Sequence, residues 1–276
     1  MPFVLDEKMQ RVLGYPLTTH PKRLVHSYIR RIVVRRYPHP RTLTKSEFDN
    51  GIWLDFEGVR NSPPAFAGIV IDGEFEFYII DSHLEKLEPV VKDIQFMERK
   101  QFLKWLTEIS INQDRPIIGY GPHEYDMILG EDSNYAEILN KMYRNANKIA
   151  RKHFKENHQD GLKDYLKNPM FEYSYPDEFS EFSVTQTITS LWSQSSKVDS
   201  FQDLGKRKRT SLRKKLRKLR RYNEHDCRGM QHLMRIVTAW IMIVMELQMR
   251  VTYHLIPAVV LVSALQLVVL PVVMAV

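Results

Sequence analysis

Asp55 and Glu57 stand two residues apart in the run Ile52–Glu57, whose apolar and aromatic content suits a β-strand. Side chains two apart on a strand share a face, so both carboxylates point the same way. Held together on an otherwise apolar strand, they repel each other. A shared proton, a basic partner or a metal cation must offset that repulsion. Hard oxygen ligands suit Mg²⁺ and Mn²⁺, so a divalent ion is the most productive of the three. The plain alternative is an edge strand with its acids in water.

Two more acidic positions fall where chemistry could use them. Glu124 and Asp126 follow directly on Ile117–Tyr120, a short apolar strand that Gly121 and Pro122 bring to an end. Asp226 lies further along, in a run where Leu212, Leu216 and Leu219 recur at spacings of four and three. Continued, that rhythm passes through Tyr222 or Asn223, then Asp226, Met230 and Leu233, which is the core-facing stripe of one long helix. An acid on such a stripe is costly unless it is paired or binds a metal. Tyr222 precedes Asp226 by four residues and shares its helical face. His123 and His225 flank these motifs and read as polar neighbours, and Cys227 as a small buried residue.

The elements that must carry these residues can be read in order. Ile52–Glu57, 65–71 and 75–81 are three strands, with Asp72-Gly73 as a hairpin signal between the last two. An amphipathic helix over 98–109 presents Phe102, Leu103, Leu106 and Ile109. The strand at 117–120 and a helix over 134–155 follow. Residues 156–200 have weak periodicity, and 183–192 reads equally as a strand or a short helix. Three segments result: a basic extension over 1–50, a central domain over 51–235 and a hydrophobic tail over 236–276.

With 276 residues, 43% hydrophobic and 26% charged, the chain has ample material for a core. A net charge of +7 favours an anionic partner, nucleic acid or a phospholipid surface. Eleven of the sixteen residues from Lys206 to Arg221 are Lys or Arg, which makes the outer face of the late helix strongly basic. Lys206, Arg207, Lys208, Arg209, Arg213, Lys214 and Arg217 are the candidate phosphate contacts there. Lys22, Arg23, Arg30, Arg31, Arg35, Arg36 and Arg41 could form a second, N-terminal arm. The single cysteine excludes an internal disulfide and a cysteine-based zinc site, and fits a reducing, cytoplasmic setting. Met1 to Leu5 is followed at once by Asp6, Glu7 and Lys8, unlike a secretory leader. Leu255 to Val276 runs 22 residues without a charge, long enough to cross a bilayer as a helix, so membrane contact through the tail is a second partner expectation.

Leu54-Asp-Phe-Glu-Gly58, Gly119-Tyr-Gly-Pro-His-Glu-Tyr-Asp126 and Arg221-Tyr-Asn-Glu-His-Asp-Cys227 together resemble the three motifs of ribonuclease H-like DEDD exonucleases with a Tyr-type third motif. They are most similar to the predicted branch with a Tyr-Gly-x-x-Glu second motif and a Tyr-Asn-x-x-Asp-Cys third. The resemblance covers about residues 50 to 235. It implies an α/β, ribonuclease H-like fold, a mixed sheet of three antiparallel strands followed by parallel ones, with helices on both faces. It also implies metal-dependent hydrolysis of DNA or RNA phosphodiesters, in the 3′-to-5′ direction, with two Mg²⁺ or Mn²⁺ ions. Asp55, Glu57 and Asp226 match the metal ligands, Glu124 or Asp126 the second-motif ligand, and Tyr222 the residue that orients the attacking water. The dense basic run before the third motif departs from the usual form. Two other readings stay open, a binding module of the same fold without activity and a membrane-associated basic protein.

Overall fold

The computed structural model describes residues 42–153, 161–167 and 171–253. The N-terminal arm and the uncharged run 255–276 lie outside them. Among the described residues, no helix is long and apolar enough to cross a membrane.

Thr44 caps the first helix among the described residues, α1 (Lys45–Asn50), in a reciprocal capping box with Glu47. A six-stranded sheet follows: β1 (Ile52–Glu57), β2 (Phe66–Ile71), β3 (Glu74–Ile79), β4 (Gln95–Phe96), β5 (Ile117–Gly119) and β6 (Tyr143–Asn145). Its order is β4-β3-β2-β1-β5-β6. The β1-β2 and β2-β3 pairs are antiparallel, and β3-β4, β1-β5 and β5-β6 are parallel. The β2-β3 hairpin turns at Asp72 and Gly73, both with positive φ (53° and 84°), the twist a two-residue hairpin needs and glycine supplies without strain.

Alternation along β1 and β2 divides the core. Ile52, Leu54 and Phe56, with Ala67 and Ile69, pack with Phe102, Leu103 and Leu106 of α2 (Arg99–Asn112), Ile128 of α3 (Pro122–Glu131) and Leu139 of α4 (Ala136–Met142). On the opposite face Trp53, Val70 and Ile118 meet Ile149 of α5 (Ala146–His153), Tyr165 of α6 (Leu162–Leu166) and Met230 of α8 (Lys206–Tyr253). A third cluster there joins Phe66, Phe77 and Ile79 to Ile188 and Leu191 of α7 (Val184–Ser195) and to Leu212, Leu216 and Leu219 of α8. Each of these leucines is fully buried, worth about 1.5–3 kcal/mol apiece. Helices thus cover both faces of the sheet. Leu43 and Ile241 belong to the same core as Trp53, so packing reaches past 51 and 235.

One sequence expectation changes, and one open alternative is resolved. The single helix over 134–155 is instead a 3₁₀ turn, α4, the strand β6 and α5. Tyr143, Arg144 and Asn145 pair with β5, and Arg144 is held by a two-pronged bond to Glu47 at 2.6 and 2.8 Å. The open edge of β5 offers backbone partners that helical spacing alone does not reveal. The ambiguous 183–192 stretch is helical, because the Ser183 hydroxyl accepts from Gln186 N–H and caps α7.

Candidate functional site

β1 lies between an antiparallel and a parallel neighbour. Its pairing with β5 covers only Ile52 and Trp53, so the end of β1 bearing Asp55 and Glu57 runs on beyond β5. These two acids share the face of Trp53, toward α8. The stripe of α8 passes over them as its leucine spacing predicts and delivers Asp226. One oxygen from each of Asp55, Glu57 and Asp226 lies within 4.8 Å of the other two.

Asn223, one turn before Asp226 and fully buried, donates from Nδ2 to Asp55 Oδ2 at 2.6 Å and to the Asp55 carbonyl at 3.3 Å. It fits because residue 68, opposite Asp55 on β2, is glycine; a Cβ there would collide with the Asn223 amide. Tyr175 donates to Asp226 Oδ1 at 2.6 Å. Glu57 is 8% exposed, and its Oε1 has no hydrogen-bond partner. A buried carboxylate oxygen left in that state is costly and awaits a proton or a cation.

Lys163 supplies positive charge that acts on all three acids. Its ammonium hydrogen-bonds the Tyr222 hydroxyl and sits 4.1 Å from the Tyr222 ring centroid and 5.1 Å from that of Tyr175. The helix carrying it is anchored by buried Tyr165 and Leu166.

The carboxyls respond to these surroundings. Burial first, then the charges of Glu57, Asp226 and Glu124, push Asp55 well above the ordinary carboxylate range, with Lys163 opposing. Burial and then Asp226 push Glu57 up to about 8, against Asn223 and Lys163. Burial lifts Asp226 to about 6, against hydrogen bonds from Tyr175 and Tyr222 and the charge of Lys163. Tyr222 is raised by burial and by Asp226, Glu57 and Asp55, so it stays a neutral hydroxyl.

Neither Glu124 nor Asp126 belongs to the three-carboxylate group. Glu124 is buried at the start of α3, where Oε2 accepts from Gly121 N–H at 3.3 Å and Tyr143 Oη at 3.4 Å. Its charge nonetheless acts on both Asp55 and Glu57. The charge of Asp126 acts instead on Tyr125 and Tyr143. Glu124 is therefore the acid that borders the cluster.

His123 is exposed, and His225 approaches the Tyr173 hydroxyl with Nδ1 at 3.3 Å. Cys227 is buried, its thiol 3.6 Å from the Gly68 carbonyl. On the basic face Lys206, Arg207, Lys208, Arg213, Lys214 and Arg217 are exposed. Arg209 is partly covered and donates to Gln202 at 3.1 Å.

Sequence reasoning missed Lys163 and Tyr175, which lie in the stretch of weak periodicity, and gave Asn223 no role. For Asn223 a signal existed, since it falls on the inward stripe of α8. No protein-family model matches the chain, and no curated protein or solved structure matches it.

Proposed function

We propose that this chain is a divalent-metal-dependent nuclease that hydrolyses DNA or RNA phosphodiester bonds on a ribonuclease H-like sheet, trimming from the 3′ end. The observation that carries this reading is the convergence of Asp55, Glu57 and Asp226, brought from segments about 170 residues apart to within 4.8 Å, with Glu57 Oε1 unpartnered. The donor set fits the ion: three hard carboxylate oxygens of like charge, poorly accommodated without a cation, are what Mg²⁺ or Mn²⁺ prefers.

In this reading Asp55, Glu57 and Asp226 hold the metal, and Glu124 supplies a fourth carboxylate at the border for a second ion. Bound metal contributes Lewis acidity and lowers the pKa of water. Asn223 fixes the rotamer of Asp55, and Tyr175 that of Asp226. The neutral Tyr222 hydroxyl, poised beside the acids, holds the attacking water. Hydrolysis forms a bond from water oxygen to phosphorus and breaks the bond from phosphorus to O3′. The released 3′ oxygen takes up a proton, leaving a nucleoside 5′-monophosphate and a shortened strand. The exposed bases of α8 and the N-terminal arm would track the backbone phosphates.

The test is cleavage of internally and 5′-labelled oligonucleotides, DNA and RNA, with Mg²⁺, Mn²⁺ or chelator. The intact chain should release mononucleotides only with metal, while Asp55→Asn binds the strand and does not cut it. Binding without metal-dependent cleavage by the intact chain would leave the inactive binding module as the better reading.

A further inference from the structure

A cleft of about 620 Å³ adjoins the acid cluster, walled by residues outside all three acid-bearing segments. Lys163, Tyr173, Tyr175, Phe179 and Phe182 line it. Lys163 and Tyr175 belong to both places: they face the cleft and also touch Tyr222 and Asp226. The volume falls within the usual range for small-ligand sites.

The lining is selective. Its four aromatic side chains come from one short stretch of chain, held at fixed angles by edge contacts such as Tyr173 to Tyr175 at 5.8 Å and Phe179 to Tyr222 at 5.5 Å. Such rings favour flat, π-bearing groups and tolerate any base. Lys163 is placed between the Tyr175 and Tyr222 rings, so its position is set before any ligand arrives. An ammonium has three N–H donors, and the Tyr222 hydroxyl takes one. Lys167 also lines the cleft but is paired with Asp164 at 3.0 Å, and the exposed Glu172 and Asp177 add negative charge. Lys163 is therefore the cation best placed to meet an anion at the end of the cleft nearest the acids. A free phosphate would use the ammonium and ignore the rings, and an uncharged aromatic would do the reverse. A nucleoside monophosphate uses both.

We propose that the cleft lined by Lys163 and by residues within 172–182 is a mononucleotide site, with the phosphate on Lys163 and the unstacked base among Tyr173, Tyr175, Phe179 and Phe182. This rests on the nuclease reading for the source of the nucleotide, as the terminal residue before cleavage and the product after it. Lys163 would serve as a phosphate-binding residue, and the rings would hold one base out of the strand.

The test is calorimetric titration of the full-length chain with AMP, adenosine, ribose 5-phosphate and inorganic phosphate, in chelator and again with Mg²⁺. Because the chelator arm needs no hydrolysis, it separates this site from the activity. AMP should bind more tightly than either adenosine or ribose 5-phosphate. Lys163→Gln should weaken AMP on the order of tenfold or more while changing adenosine little. Lys163→Arg, which keeps the charge, should retain AMP binding and shows that a loss in Lys163→Gln is not misfolding. Equal AMP affinity in the intact chain and Lys163→Gln, or no preference for AMP over phosphate, overturns the site even if the chain cuts nucleic acid. AMP binding with the expected dependence, in a chain that cuts nothing, keeps the site and removes the nuclease.

Discussion

Asn223 Nδ2 donates to Asp55 Oδ2 at 2.6 Å across 168 positions of sequence. This bond ties the central strand to the long helix and sets the direction in which the first acid points. Replacing Asn223 with Ala removes a buried donor to a carboxylate and should cost about 1–3 kcal/mol. The urea midpoint measures it. Asn223→Asp should behave differently, because it adds a fourth charge to the cluster. That variant should be far weaker at pH 8 than at pH 5, and Mn²⁺ should restore much of the loss.

Gly68 makes room for the same amide. Gly68→Ala places a methyl group where Asn223 sits, and neither the fully buried Asn223 nor the central strand has space to yield. The cost should be about 1–3 kcal/mol of overpacking, read as a lower melting temperature. Adding Asn223→Ala to Gly68→Ala should recover part of it, since the smaller side chain relieves the collision. Strictly additive losses would show that the two residues do not compete for space.

The raised carboxyls fix the sign of the pH dependence. Glu57 is lifted to about 8 and Asp226 to about 6 from ordinary values of 4.5 and 3.8, and Asp55 is lifted as well. The folded chain therefore binds protons that the unfolded chain has released. The stability these groups contribute is fully present below their ordinary values and is lost as pH rises to about 8. Chelated protein should show a falling urea midpoint from pH 5 to pH 8.5. Saturating Mg²⁺, which binds the ionised acids, should flatten or reverse that slope. A midpoint that climbs through this range in chelator would contradict the placement of the acids.

The basic face of α8 should act through phosphate charge. Changing Arg213, Lys214 and Arg217 together to Gln should weaken binding to single strands of any sequence. The slope of log K against log salt should become shallower by about 0.7 for each phosphate no longer neutralised. Metal affinity should stay as it was. A variant that binds like the intact chain would move the strand to another surface.

Much of the site is legible in the sequence because it lies on regular elements. Asp55 and Glu57 follow the period of two within Ile52–Glu57, and Asp226 follows the leucine rhythm of α8, so each could be assigned a face. Lys163, Tyr175 and Phe179 could not, since each reaches the site from irregular chain or a short helix whose direction depends on tertiary packing. β6 was hidden for another reason. Its three residues sit between two helical segments with continuous apolar spacing, and only the open edge of β5 makes them a strand. Glu124 and Asp126 show the limit of pattern alone: both are plausible by spacing, and burial and electrostatic reach distinguish them.

The nuclease reading requires a divalent ion on Asp55, Glu57 and Asp226. Titrating Mn²⁺ into chelator-treated full-length protein, followed by electron paramagnetic resonance of free Mn²⁺, counts that ion. The intact chain should bind at least one ion, and Asp226→Asn, with its cooperative unfolding preserved, should lose affinity by more than the roughly 10–100-fold typical of changes to groups that merely support a metal's ligands. Equal Mn²⁺ binding by the two proteins, or none by the intact chain at millimolar Mn²⁺, would rule out a metal on these three acids.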